Sequence, residues 1–70
     1  GWLVPQTREQ LVESVAWLQR DAAYNYRAAA QYREVGTIDW IATKVQNNAA
    51  HSAELARILH DRLLSMEAAA

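Results

Sequence analysis

His51 and Glu54 lie three positions apart, and on a helix that spacing puts an imidazole and a carboxylate on one face. Metal sites in helical bundles are built in this way, from Glu, Asp and His projecting inward off facing helices. His51 and Glu54 are therefore the candidate metal ligands, with Asp21 approaching from the first half of the chain and a divalent metal as the implied ion. Two ligands on a helix arise easily by chance, and His-x-x-Glu reverses the common Glu-x-x-His order. The competing reading needs no ligand: Asp21, Tyr24 and Asn25 with Asn47, Asn48 and His51 form a polar belt whose amides fix helix register. His60 and Asp61 read as a solvated pair.

Other chemistry finds little to work with. There are no cysteines, which removes disulfides, thiolate zinc sites, iron–sulfur clusters and thiol catalysis. Ser14, Ser52 and Ser65 fall inside helical segments without a base and its orienting group. Ser52 beside His51 does not qualify, since adjacent helical side chains point about 100° apart. No catalytic residue is assigned, and no cofactor is expected outside the metal reading.

The elements that position these residues are two long helices. Pro5 ends an apolar lead over 1–6, and Thr7-Arg8-Glu9-Gln10 fits a capping box, in which the Thr hydroxyl and the Gln amide satisfy each other's free N–H groups. From Arg8 to Glu34 there is no Gly or Pro, and Leu11, Val15, Leu18, Ala22, Tyr26 and Ala29 recur at helical spacing. Val12, Ala16, Ala23 and Ala30 widen that stripe on one side, with side chains small enough for another helix to approach closely. Gly36 is the only glycine after Gly1. A Gly followed by Thr37 matches a helix C′ residue and the next N-cap. The second helix is expected from about 38 to 66, with Asp39 in its first turn, where a negative charge suits the dipole. Its stripe runs through Ile38, Ile41 or Ala42, Val45, Ala49, Ser52, Ala56, Leu59, Leu63 and Met66, with Leu55 and Ile58 beside it, and 67–70 is expected to fray.

The fold class is thus all-α: one domain over 1–70, an antiparallel two-helix hairpin turning at Gly36. A pair of helices leaves flanks of each stripe wet, so two hairpins are expected to dimerise into a four-helix bundle. The interface residues read from the stripes are Leu11, Val15, Leu18, Ala22, Tyr26, Val45, Ala49, Leu55, Leu59 and Leu63. Trp17 and Tyr24 fall off the main stripe, and Trp40 starts a line through Lys44, Asn47, His51 and Glu54. Trp17 and Trp40 join the interface set, because exposed aromatics mark contact hot spots; packing of Trp40 on Tyr32, and of Trp2 near Leu63, is the intramolecular alternative.

The net charge of −1 is scattered rather than blocked. It leaves no electrostatic footprint for nucleic acid and no polybasic membrane patch, although Arg20, Arg27 and Arg33 keep a small dimeric RNA-binding bundle as a minor alternative. No apolar run reaches a membrane span, and a cytoplasmic location is expected. The partners expected are a second copy of the chain and another protein.

Tyr26-x-x-Ala29-Ala30, the Gly36 turn, Ile41-Ala42 and Asn48-Ala49-Ala50-His51 resemble the antiparallel helix pair of ferritin-like proteins, most nearly the half-length encapsulated ferritins. The similarity spans about Gln19 to Leu64. It implies single hairpins that dimerise to complete a bundle, with Tyr26 near the metal site and His51 as the His of Glu-x-x-His. Gln19 and Asn48 stand where that family has ligand glutamates, and neutral amides cannot balance iron's charge as carboxylates do.

Overall fold

The computed structural model describes residues 7–36 and 39–69, and these form two helices, α1 (Arg8–Glu34) and α2 (Asp39–Ala69), packed side by side with no strand among them. The expected lead over 1–6, the Thr37 cap, Ile38 and the packing of Trp2 lie outside the described residues.

The start of α1 follows from its first four residues. Gln10 N–H donates to Thr7 Oγ1 at 3.1 Å and Thr7 N–H donates to Gln10 Oε1 at 3.2 Å, the reciprocal arrangement expected of a capping box. At the other end Val35 N–H donates to Gln31 O and Gly36 N–H to Arg33 O. Gly36 sits at φ 77°, the left-handed region where a side chain is strained and glycine is not.

α2 runs to Ala69 rather than stopping near Met66, so Glu67 is helical instead of frayed. Two causes are visible. Glu67, Ala68 and Ala69 are good helix formers, and Arg8 Nη2 bonds Glu67 Oε1 at 3.1 Å, tying the end of α2 to the start of α1. Both partners are about half exposed, so the tether itself is weak.

Between the helices runs a seam with alternating four- and three-residue spacing: Leu11, Val15, Leu18, Ala22 and Ala29 from α1, facing Ala42, Ala49, Ser52, Ala56 and Leu63 from α2, all buried. Val45 and Leu59 continue it half-buried. This is the coiled-coil repeat, in which each side chain seats between residues of the facing helix. Tyr26 departs from the expectation. It is 44% exposed, because the seam steps from Ala22 to Asn25 to Ala29 and leaves Tyr26 about 100° round the helix, on the flank.

The result is a thin rod. Its radius of gyration is 14.9 Å, against about 11 Å for a compact domain of this length, and its principal extents are 51 × 25 × 13 Å. The smallest of these is little more than one helix diameter. The accessible surface is 5353 Å², where a compact monomer of this mass would show about 4,400 Å².

A Cβ built on Gly36 meets nothing within 4 Å, so Gly36→Ala carries only the backbone cost of the left-handed conformation. Urea unfolding is expected to show a loss of about 1–2 kcal/mol with an unchanged m-value.

Candidate functional site

Mid-hairpin, the polar residues sort differently from the expected belt. Ser52 Oγ donates to Asp21 Oδ2 at 2.7 Å across the two helices, and Asn25 Nδ2 donates to the Asp21 carbonyl one turn back at 2.9 Å. Ser52 is 9% exposed. Asn47, Asn48, His51 and Tyr24 are exposed and do not close on Asp21. The register read from Gly36 is right to within one residue. The group that meets Asp21 is nevertheless Ser52, because the α2 seam steps through Ala49, Ser52 and Ala56 and turns His51 about 100° away. Asn25 serves its own backbone. The interhelical lock is a carboxylate and a hydroxyl, a charge-assisted bond of the stronger kind.

The two candidate metal ligands share the outer side of α2, and both are exposed. Glu54 is engaged by Arg57, whose guanidinium bonds both Glu54 carboxylate oxygens and reaches Asp61 Oδ2 at 3.2 Å. Arg57 holds the Glu54 carboxyl below its ordinary range, by hydrogen bonding first and by charge second. A metal at Glu54 has to displace that cation. Asp21, the third group, is occupied by Ser52. No group of three or more His, Asp or Glu side chains suited to a metal occurs among the described residues.

The larger feature is apolar surface. Trp17 is 54%, Tyr24 67% and Trp40 62% exposed. Trp40 does not bury itself against Tyr32, which is also exposed. Trp17 lines open surface hollows on one face, with Glu13, Ser14 and Leu18 and with Asp21 and Tyr24. The opposite face has a hollow lined by Gln19, Ala22, Ala53, Ala56, Arg57 and His60, and carries Val12, Tyr26 and Leu64, each exposed. Among the stripe residues expected at an interface, Leu11, Val15, Leu18, Ala22, Ala49 and Leu63 are spent on the contact between α1 and α2, while Leu55 remains half-buried at its edge. Val12 and Leu64, which periodicity left out of the interface set, are recoverable from the sequence only as members of a second four-three spacing beside the first.

Comparison with family models, curated proteins and solved structures returns no match. The resemblance to ferritin-like hairpins rests on the residues of this chain. No helix among the described residues is long and apolar enough to cross a membrane.

Ser52→Ala strips Asp21 of its cross-helix donor, and Asp21→Ala removes the acceptor. A double-mutant cycle in chemical unfolding is expected to return a coupling of about 1–2 kcal/mol; a coupling indistinguishable from zero would show that the register is set by the apolar seam alone.

Proposed function

We propose that the protein is a non-enzymatic helical hairpin that self-associates into a four-helix bundle and acts as an assembly or protein-interaction module. The observation that carries this reading is the combination of a 13 Å thickness with exposed Val12, Trp17, Tyr24, Tyr26, Ile58 and Leu64. A single helical layer has two broad faces, and each of these carries large apolar side chains. Large exposed apolar patches mark association surfaces.

Stability points the same way. Five of the nine buried hydrophobic residues described are alanines, each burying little area, and a domain of about 70 residues seldom reaches more than ~3–5 kcal/mol from one core. A second hairpin doubles the layers and covers one flank of every helix. Trp17, Tyr24 and Trp40 are suited to a second partner, since aromatic side chains dominate interface energetics.

The metal-binding alternative stands on His51 and Glu54. Metal analysis of protein purified without chelator or metal-affinity tag discriminates: the module reading expects no stoichiometric iron, manganese or zinc, and a stoichiometric ion lost in His51→Ala would replace it.

Sedimentation equilibrium is expected to give a dimer or larger at micromolar concentration, with a Tm that rises with protein concentration because folding and association are linked. A folded monomer with a concentration-independent Tm would overturn self-association.

A further inference from the structure

Resting on the self-association reading, we propose that a second copy docks on the face carrying Val12 and Tyr26, opposite to Trp17, with the two hairpins antiparallel and their Gly36 turns at opposite ends. The case comes from the order of residues along that face, which is self-complementary about one level of the rod.

In α1 the exposed flank repeats at four-three spacing through Glu9, Val12, Ala16, Gln19, Ala23, Tyr26, Ala30 and Arg33. Counted outward from Asp21, these fall into mirror pairs. Antiparallel pairing of α1 with its own copy about Asp21 sets Gln19 against Ala23, Ala16 against Tyr26, Val12 against Ala30 and Glu9 against Arg33. The two larger apolar side chains, 41% and 44% exposed, each meet an alanine. Knobs therefore meet holes. At both ends an acid meets a base, and neither Glu9 nor Arg33 takes part in an ion pair among the described residues.

α2 repeats the symmetry at the same height. Its flank on this face mirrors about the midpoint of His51 and Ser52, pairing Ala50 with Ala53, Gln46 with Arg57 and Thr43 with His60, while at the ends Leu64 falls against Asp39 and leaves part of its side chain uncovered. The Ser52–Asp21 hydrogen bond puts the α2 centre within about one residue rise, roughly 1.5 Å, of the α1 centre. One two-fold axis across the hairpin therefore serves both helices, as a closed dimer requires. No like charges are opposed. Arg57, the cation on this flank of α2, is already neutralised by Glu54 and Asp61.

The area suffices. α1 is 27 residues long, about 40 Å, and the rod is 25 Å wide, so one face covers on the order of 1,000 Å² where a standard interface needs ~800 Å² per partner.

The test is a charge reversal. Glu9 and Arg33 lie at opposite ends of one helix, too far apart to meet within a chain. Glu9→Arg alone or Arg33→Glu alone creates two like-charge contacts per dimer and is expected to raise the dimer Kd about three- to tenfold at low salt, an effect erased near 1 M salt. The double variant restores opposite charges and is expected to return to within about twofold of the wild type. Within one helix both changes oppose the macrodipole, so recovery in the double variant has no intrachain explanation. Val12→Cys/Ala30→Cys gives a second readout: covalent dimers form on oxidation, while Val12→Cys alone gives none. A wild-type dimer whose Kd ignores the reversals, or that cross-links through Val12→Cys alone, overturns this face and orientation and leaves self-association standing; a monomeric wild type removes both.

Discussion

A helix in a two-helix hairpin has one neighbour, and through it can bury one stripe. Everything else about this rod follows from that limit. The stripe chosen is held by the four-three alternation of small and branched side chains, with Leu11, Val15 and Leu18 in the first half of α1 and alanines nearer the turn. Alanines permit close approach but contribute little burial, so the seam specifies an alignment more strongly than it stabilises one. The Ser52–Asp21 bond adds a polar check on that alignment, since a slip of one seam step, to Ala49 or Ala56, leaves a carboxylate facing alanine.

The charged groups are arranged around the apolar seam without competing with it. Arg57 is bracketed by Glu54 and Asp61 along its own helix, and Arg8 and Glu67 close the open end. All of these pairs are exposed and individually weak. Within α2 their effect is to hold the Arg57 side chain along its own helix, while Arg8 and Glu67 cross between the two helices.

What could be read from the sequence was what depends on near neighbours. The Thr7 capping box and the Gly36 terminus are each decided within four residues, and both stand as expected. The hairpin and its register followed from the position of Gly36. The exchange of His51 for Ser52 opposite Asp21 turns on a single residue of phase, which periodicity over a few turns does not resolve. Tyr26 fits the stripe by its apolar ring, whereas the four-three spacing selects Asn25 at that layer. The end of α2 extends past Met66 because Glu67, Ala68 and Ala69 are good helix formers, and the Arg8 contact with Glu67, which spans almost the whole chain, adds a weak tether that local rules do not show.

The Arg8–Glu67 contact also marks where this rod can be connected to anything else. It shows the beginning of α1 beside the end of α2, so segments attached to either helix leave from one pole. Joined in the opposed orientation proposed above, two hairpins would carry their attachments at two poles separated by a helix length. Such a unit is a ruler of about 40 Å, and it would set a distance between whatever it holds.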